Sequence, residues 1–333
     1  MTPTIPKIIL DTDPGGDDAF ALLWLLSMVK KGLAELLAVT TVDGNVGPEI
    51  TFVGACKLLR LTGFSQIKVA RGVIGGSQFN ETDAAFLHGV DGMGNLTNTL
   101  EPCHLDYEAA DYGDDVIIST LSQYPHEVTI IAIGPLTNLA AAERKSPGIL
   151  KKAKEIIIMG GAFCVPGNVT PEAEFNIVYD VEAAKTVFSS RDDLIVIPLD
   201  ITCNLIFTPA MAIAICKSHA QTPLGKFILS LVDFMTENSL AWRETGSQTG
   251  FLVHDAATLA YLYYPENLKF RRGYITVETG GEFTKGKTLL DNRRKTKIGA
   301  NAWIAIEVDA VNLQGAMSED LKFLISNLSF PNH

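Results

Sequence analysis

Short apolar runs alternate with longer helical stretches through the first two thirds of the chain. The first run, Lys7 to Leu10, is followed by a polar turn and then by an apolar helical segment from about Asp17 to Lys31. Short runs of aliphatic and β-branched residues bounded by Gly, Pro or Asp are typical of buried strands. Their alternation with helices predicts βαβ units and therefore a parallel sheet.

The same pattern predicts the remaining elements. Further strands are predicted at Leu36 to Val42, Ile67 to Ala70, Val128 to Ile133, Glu155 to Met159 and Leu194 to Leu199. Further helices are predicted at Pro48 to Leu61, at Tyr107 to Gln123, from about Leu136, and at Val181 to Ser189, with a long glycine-rich loop before Pro102. A hairpin is predicted where Thr279-Gly280-Gly281 follows the run Tyr274 to Val277. Because no repeat or linker interrupts this pattern, we expect one α/β domain over residues 1–333, with a mostly parallel sheet flanked by helices.

Composition and charge narrow the range of partners. Apolar residues make up 47% of the 333 positions, so a large core can be buried, and the formal net charge of -11 disfavours binding to nucleic acids or anionic membranes. The longest apolar stretch, Ala19 to Val29, is too short to span a bilayer. Five scattered cysteines without a CxxC pair are typical of free thiols in a reducing compartment. With no signal-peptide layout at the N-terminus, a cytoplasmic protein is expected.

A dense group of acids follows the first predicted strand. Asp11, Asp13, Asp17 and Asp18 fall within eight residues, at the start of the first helix. Neighbouring carboxylates raise one another's pKa unless positive charge lies among them. The helix N-terminus supplies part of that charge, and Ca²⁺ or Mg²⁺ could supply the rest, since both prefer oxygen ligands. Ca²⁺ suits a mixed and irregular ligand set better.

Two other interpretations of these acids stay open at this point. Asp17 and Asp18 could simply cap the helix while the turn acids face solvent. Asp11-Thr12-Asp13 also has the DxD pattern of haloacid dehalogenase-type, Mg²⁺-dependent phosphatases. That family normally continues with a small Gly-Thr turn, whereas Pro14-Gly15-Gly16 follows here.

Five motifs carry a resemblance to a known family. The string Asp11 to Ala19 closely resembles the N-terminal signature of the inosine–uridine-preferring nucleoside hydrolases. Four further segments resemble motifs of that family, in the same order: Thr40 to Asn45, Ile133 to Asn138, Met159 to Asn176, and Val253 to Ala256. The resemblance, which spans residues 5 to about 260, implies a Rossmann-like nucleoside hydrolase fold and hydrolysis of ribonucleosides to ribose and free base. It also implies one bound Ca²⁺ and a homo-oligomer, a tetramer or a dimer.

The resemblance also implies a role for each matching position. Asp13 resembles the residue that both binds Ca²⁺ and takes a proton from the attacking water. Asp18 and Asp255 resemble the other side-chain ligands, and Ile133 lies where the family offers a backbone carbonyl. The positions implied to bind the sugar are Asp17, Asn45, Met159, Asn168, Glu174, Phe175 and Asn176, while Asp11 resembles an acid that supports the ligands.

Two histidines are candidates for the nucleobase side of the site. His254 precedes the predicted ligand Asp255, and imidazole titrates near neutral pH, so it is the candidate acid for the leaving base. His88 resembles a base-side histidine of the family, and for both residues a purely structural role is the alternative. Purine-specific relatives favour tryptophan at the position of His254. Gly16 stands where the family usually has an aliphatic residue, which predicts looser packing of this loop.

Other functions need to be distinguished from hydrolysis of nucleosides. A phosphatase would use Asp11 as a covalent nucleophile, and a non-catalytic nucleoside- or ribose-binding protein would hold the sugar without releasing the base. A structural calcium protein would ignore nucleosides. Trp242 and Phe163 are expected either to line a wall over the base or to pack in the core.

Overall fold

The central element of the protein is a nine-stranded, mostly parallel sheet. The computed structural model describes residues 5–73, 84–293 and 299–328. The strand order is β10-β9-β11-β6-β5-β4-β1-β2-β3, and a separate antiparallel pair joins β7 to β8. Within the large sheet, β9 runs antiparallel to both β10 and β11, and the other pairs are parallel. The predicted α/β fold with a mostly parallel sheet is confirmed.

Eleven strands and twelve helices are assigned in the described residues. The strands are β1 Lys7–Thr12, β2 Glu35–Thr41, β3 Lys68–Ala70, β4 Val128–Ala132, β5 Glu155–Met159, β6 Leu194–Ile197, β7 Ile206–Phe207, β8 Phe251–Leu252, β9 Leu268–Val277, β10 Thr288–Asp291 and β11 Ala302–Val308. The helices are α1 Gly16–Lys30, α2 Pro48–Leu61, α3 Ala85–His88, α4 Gly113–Gln123, α5 Thr137–Lys145, α6 Phe175–Tyr179, α7 Val181–Phe188, α8 Leu199–Thr202, α9 Pro209–Cys216, α10 Pro223–Ala241, α11 Ala257–Tyr263 and α12 Ala310–Asn327.

The strand order reverses beside β1. From β1 the chain continues outward to β2 and β3 on one side, whereas β4, β5 and β6 follow on the other. In open parallel sheets ligands bind beyond the carboxyl ends of the strands at such a reversal. Asp13 follows β1 there, Ile133 follows β4, and Met159 ends β5. The topology therefore places these three positions at one end of the sheet.

Both faces of the central strand are buried, as expected for a parallel sheet covered by helices. Ile8 and Leu10 belong to one hydrophobic cluster, and Ile9 between them belongs to the cluster on the other face. Helix α1 is buried on nearly all sides, which explains its continuous apolar sequence. The acids that precede this helix are therefore held between a buried strand and a buried helix.

The C-terminal helix α12 is attached to α1 through one buried carboxylate. Asp320 is 3% exposed and accepts hydrogen bonds from Nε1 of Trp24 at 2.7 Å and from Oη of Tyr264 at 2.6 Å. Nζ of Lys31 forms an ion pair with the same carboxylate. The rings of Trp24 and Tyr264 stack with their centroids 5.8 Å apart. Every oxygen of Asp320 thus faces a donor.

The helix expected from Tyr107 begins six residues later, at Gly113. The backbone around Tyr112 pairs instead with Arg71 beyond the end of β3, with Arg71 N–H donating to the carbonyl of Asp111. A residue engaged in this bridge is extended and cannot belong to the helix, so the prediction was wrong at that end.

The other predicted elements can be compared with those in the structure. The predicted hairpin is confirmed, because β9 and β10 pair in antiparallel register. In the predicted glycine-rich loop, the short helix α3 and the 3₁₀ turn Thr97–Thr99 are present, and residues 74–83 lie outside the described residues. The long helices α10 and α12 were not predicted. None of the helices in the described ranges combines the length and apolar character needed to cross a membrane.

Candidate active site

A cavity of about 630 Å³ opens at the carboxyl ends of the central strands. This size is within the range of small-molecule sites. Twelve of the predicted site residues line it: Asp17, Asp18, Asn45, His88, Ile133, Met159, Asn168, Glu174, Phe175, Asn176, His254 and Asp255. Asp13 is the exception, since it lies wholly buried and does not line the cavity. Residues predicted from five separate motifs thus surround one space.

Three carboxylates converge on the floor of this cavity. One oxygen each from Asp17, Asp18 and Asp255 lies within 4.8 Å of the other two, and all three residues are buried. Burial followed by the charge of Asp18 raises the pKa of Asp17 to about 7. Burial and the charges of the neighbouring acids raise the pKa of Asp255 well above its ordinary value. The cluster is therefore unstable as a set of free anions and suits a bound cation.

Asp13 is held beside this cluster by tight backbone contacts. Its Oδ2 accepts a hydrogen bond from the backbone N–H of Asn45 at 2.8 Å. A Cβ atom on Gly44 would lie 2.1 Å from Oδ2, and one on Gly134 would lie 2.4 Å from Oδ1. Both glycines are therefore required by the close approach of the backbone. Within the described residues, Oδ1 of Asp13 is buried without a hydrogen-bond partner.

The electrostatics of Asp13 follow from this position. Burial, with smaller contributions from the charges of Asp18 and Asp17, raises its pKa well above the usual range, against the opposing effect of the Asn45 N–H. A buried carboxylate oxygen without a donor is costly, and a divalent cation would satisfy it. The donor set thus fits a hard metal ion that prefers oxygen ligands.

Asp18 is oriented by the loop that precedes α1. Its Oδ1 accepts a hydrogen bond from Oγ1 of Thr12, and its Oδ2 accepts from the backbone N–H of Gly15 at 3.0 Å and from Nδ2 of Asn45 at 3.1 Å. Burial raises the pKa of Asp18 despite these hydrogen bonds. The same amide of Asn45 also donates to the backbone carbonyl of Asp13 at 3.0 Å. Asn45 therefore fixes both acids.

Asp11 lies below the cavity. Its Oδ1 accepts hydrogen bonds from Oγ1 of Thr40 and from Nδ2 of Asn138. Burial raises the pKa of Asp11 to about 7, and the two hydrogen bonds oppose that shift. The side chain is 0% exposed and is not part of the cavity wall. It ties the ends of β1 and β2 to the start of α5.

Another part of the cavity wall carries Asn168, Glu174 and Asn176, which are among the residues predicted to hold the sugar. Glu174 caps α6, and its carboxylate accepts backbone N–H bonds from Gly161 at 2.9 Å, Asn176 at 2.8 Å and Ile177 at 3.2 Å. Burial nevertheless raises its pKa. Oδ1 of Asn168 accepts a hydrogen bond from the backbone N–H of Phe175 at 2.9 Å. Backbone contacts thus fix these side chains.

Asn176 joins this wall to the ends of two strands. Its Nδ2 donates to the backbone carbonyl of Ile133 at 2.9 Å and to that of Met159 at 3.2 Å. Ile133, the predicted backbone ligand, lines the cavity, and its carbonyl already accepts this hydrogen bond. A carbonyl oxygen has two lone pairs, so one is left for a further partner.

The two histidines have different environments in the cavity. The backbone N–H of Gly16, at the start of α1, donates to Nδ1 of His88 at 2.9 Å. Burial, together with the charge of His254, lowers the pKa of His88 to about 4 against the opposing charge of Glu244. His88 is therefore neutral near pH 7, with its remaining ring proton on Nε2.

His254 is surrounded by acids. Burial alone would lower its pKa, but Glu244, Asp17 and Glu174 outweigh that effect and raise it. Nε2 of His254 lies 3.9 Å from Oε1 of Glu244, and Nδ1 lies 2.7 Å from Oγ1 of Thr202. An imidazole with a raised pKa is suited to donate a proton to a leaving group.

The sequence did not identify four residues of the cavity and its support: Glu244, Thr202, Met235 and Phe86. Met235 also corrects the prediction of loose packing at Gly16, since its sulfur would lie 2.4 Å from a Cβ there. The side chain of Met235, on α10, therefore occupies the space that a side chain at position 16 would take. Phe86 meets Trp242 at the rim with ring centroids 4.6 Å apart, whereas Phe163 packs against the hydrophobic cluster beside the sheet.

The pocket brings together an acidic cluster that suits a cation, a wall of carboxylate and amide side chains, and two histidines. Comparison with known proteins agrees with that chemistry. A model of the inosine-uridine preferring nucleoside hydrolase family matches residues 8–314, and the chain belongs to this family. It is an enzyme of the nucleoside hydrolase class, which acts on N-glycosidic bonds.

Three relatives illustrate the range within the family. The chain is 33% identical over 325 residues to a probable uridine nucleosidase from Oryza sativa subsp. japonica, covering 94% of this chain and 95% of that protein. A solved plant nucleoside hydrolase is 33% identical, with a TM-score of 0.84 and coverage of 96% and 99%. A purine-preferring ribonucleoside hydrolase from Gardnerella vaginalis is 27% identical, with a TM-score of 0.85 and the same coverage. The names of these relatives refer to different nucleobases, so membership of the family does not by itself determine which base the enzyme prefers.

Proposed function

We propose that the protein hydrolyses the N-glycosidic bond of ribonucleosides of the inosine and uridine type in a Ca²⁺-dependent reaction that yields ribose and free base. The main observation is the buried Oδ1 of Asp13, which has no hydrogen-bond partner in the described residues, beside the converging oxygens of Asp17, Asp18 and Asp255. Only a cation with several oxygen ligands satisfies such a set without protonating it.

Asp13, Asp18, Asp255 and the carbonyl of Ile133 would hold the ion. When bound, Ca²⁺ supplies positive charge that acidifies water and attracts sugar hydroxyls. Its preference over Mg²⁺ in this site follows from the mixture of carboxylates and a carbonyl, because Ca²⁺ tolerates irregular geometry and a larger number of ligands.

The side chains of the chain carry the other steps. Asp13 accepts a proton from the attacking water, which adds to C1′ of the ribose as the bond to the base nitrogen breaks. Asp17, Asn45, Asn168, Glu174 and Asn176 hold the ribose hydroxyls, with Met159 and Phe175 beside the ring. This fixes C1′ against the nucleophile. His254 donates a proton to the departing base, and neutral His88 lies on the same side.

The phosphatase alternative conflicts with the position of Asp11. A covalent nucleophile must reach its substrate, whereas Oδ1 of Asp11 is held by Thr40 and Asn138, and Asp11, unlike Asp13, does not interact with the charges of Asp17 and Asp18 in the cavity. Its raised pKa also makes it a poor nucleophile below neutral pH. This chemistry is therefore not favoured.

The defining experiment is incubation of the purified chain with inosine or uridine, with Ca²⁺ or with excess chelator, followed by a reducing-sugar assay. Ribose release that depends on Ca²⁺ is the expected result. A non-catalytic binding protein would bind the nucleoside and release no sugar. No ribose from any ribonucleoside in the presence of Ca²⁺ would refute the proposal.

The role of His254 has its own test. His254→Ala should lower kcat/KM for inosine by about 100-fold or more, since general acids contribute that much. Nitrophenyl riboside, whose leaving group is already activated, should be affected far less. An equal loss for both substrates would show that His254 is not the acid.

Two broader proposals rest on the resemblance and the composition alone. We expect a homo-oligomer, a dimer or a tetramer, and a cytoplasmic location. Sedimentation of the purified chain at micromolar concentration tests the first, and fractionation of cells that express it tests the second.

A further inference from the structure

One carboxylate of the cavity is not used by the proposed reaction. Glu244 lines the cavity close to His254, two residues after Trp242 of the Phe86–Trp242 rim. Its Oε2 accepts a hydrogen bond from Oγ of Ser239, which fixes the side chain. Its Oε1 is 3.9 Å from Nε2 of His254, which is an ion-pair distance but longer than a direct hydrogen bond, so a donor group of a ligand can approach it. This oxygen is therefore an acceptor available to a ligand.

The backbone is arranged to turn Glu244 toward the cavity. Helix α10 ends at Ala241, and Arg243 then adopts a left-handed conformation with φ of 59°. The chain reverses there, so that the N–H of Glu244 donates to the carbonyl of Ser239 at 2.9 Å. A left-handed residue with a side chain is uncommon and often marks a functional position.

Beside this acceptor lies Nε2 of His254, which is a donor when the hydroxyl of Thr202 donates to Nδ1. Thr202 Oγ1 lies 2.7 Å from Nδ1, and a hydroxyl that donates to Nδ1 leaves the ring proton on Nε2. A protonated ring also carries a proton on Nε2. The base side of the pocket therefore presents a carboxylate acceptor and an imidazole donor side by side, 3.9 Å apart.

That pair is complementary to one edge of uracil. Uracil carries its O2 carbonyl next to its N3–H group, and O2 is also adjacent to N1, the atom bonded to ribose. Cytosine has the same O2 but a lone pair at N3, which faces a carboxylate unfavourably. We propose that Glu244 is a specificity residue, an inference that rests on the proposed function. Its carboxylate accepts the N3–H of uracil while His254 faces O2, and this selects uridine over cytidine.

The test compares kcat/KM for uridine, cytidine and 3-methyluridine. Wild-type protein should prefer uridine by about tenfold or more over each of the others, since each leaves the buried carboxylate without its donor. Glu244→Gln presents an amide that can donate to N3 of cytosine, so the uridine-to-cytidine ratio should fall by about tenfold. The matched control is Glu237→Gln, at an exposed glutamate on α10, the helix that precedes Glu244, and it should leave the ratio unchanged.

The outcomes separate this inference from the function on which it rests. Equal cleavage of uridine and 3-methyluridine by the wild type would overturn the inference without any substitution, while ribonucleoside hydrolysis itself would stand. A folded Glu244→Gln variant with an unchanged uridine-to-cytidine ratio would overturn it as well. Failure of the wild type to release ribose from all three substrates would overturn the proposed function and this inference together.

Discussion

Asp320 and the acids of the cavity are all buried carboxylates, but they are stabilised in opposite ways. Asp320, on α12, is surrounded by Trp24, Tyr264 and the ammonium group of Lys31. In the cavity beyond β1, Asp17, Asp18 and Asp255 face one another, and Oδ1 of Asp13 has no hydrogen-bond partner among the described side chains and backbone. Both groups are only a few per cent exposed.

The difference separates a structural acid from a functional one. Burial costs the same kind of desolvation in both places, but at Asp320 the chain itself supplies the compensating charge and donors. At the end of β1 the compensating charge has to come from outside the chain. A buried acid for which the protein supplies no positive charge is therefore a better indication of a ligand site than a buried acid that is already paired.

The largest effect is expected from removing the reactive acid. Asp13→Ala should lower kcat for uridine by about 10³-fold or more, because the general base is lost together with a cation ligand. The protein should stay folded, since Asp13 contributes no ion pair to the fold. Steady-state kinetics and circular dichroism check this, and more than a tenth of the wild-type rate would refute the assigned role.

Substitution of Asp320 should have the reverse effect, with a loss of stability and no loss of activity. Asp320→Ala leaves the charge of Lys31 unpaired, so the free energy of unfolding should fall by about 3 kcal/mol, the lower end for a buried pair because Lys31 is partly exposed. Urea denaturation measures this, and kcat below the melting transition should be retained.

The matched control for Asp320 lies on the same helix. Glu319 forms an exposed ion pair with Lys322. Glu319→Ala should change stability by less than about 1 kcal/mol, as usual for surface pairs. Similar losses in the two variants would show that Asp320 has no special role.

A smaller effect concerns pH. The pKa of Asp17, about 7, lies above its unfolded value of 3.8, so without metal its contribution to stability is lost as pH rises from about 4 through 7. Ca²⁺ bound by Asp13, Asp18 and Asp255 requires their ionised forms, and its charge also favours the ionised form of Asp17 beside them, so bound Ca²⁺ should reverse that trend. The melting temperature with Ca²⁺ should exceed that with chelator by about 5 °C at pH 8, and by less at pH 5. A difference that does not grow with pH would contradict a calcium site built from these acids.

Much of this architecture could be predicted from local pattern. Apolar runs ending in Asp or Asn predicted the parallel strands and the edge of the sheet at which the site lies. Asp255 entered only through resemblance, since nothing near it in sequence indicates that it meets Asp18. The start of α4 at Gly113 was not predicted, because it depends on the backbone bridge between Tyr112 and Arg71, and such a tertiary contact is not visible in the local sequence.

The base side of the pocket was the least predictable part. Glu244 and Met235 reach the cavity through the packing of α10, for which no local motif exists. One signal was available: Thr222 precedes Pro223, and its hydroxyl accepts the N–H of Gly225 as a helix cap. That cap predicts the start of α10 but not the direction in which its last turn points.

The two glycines pressed against Asp13 restrict how the enzyme can diversify. Any side chain at Gly44 or Gly134 would displace the carboxylate. Variation that alters the accepted nucleobase is therefore expected on the base side of the pocket, at Glu244 and at the rim around Phe86 and Trp242. Mutant libraries intended to create new hydrolases from this scaffold should randomise that rim and leave both glycines unchanged.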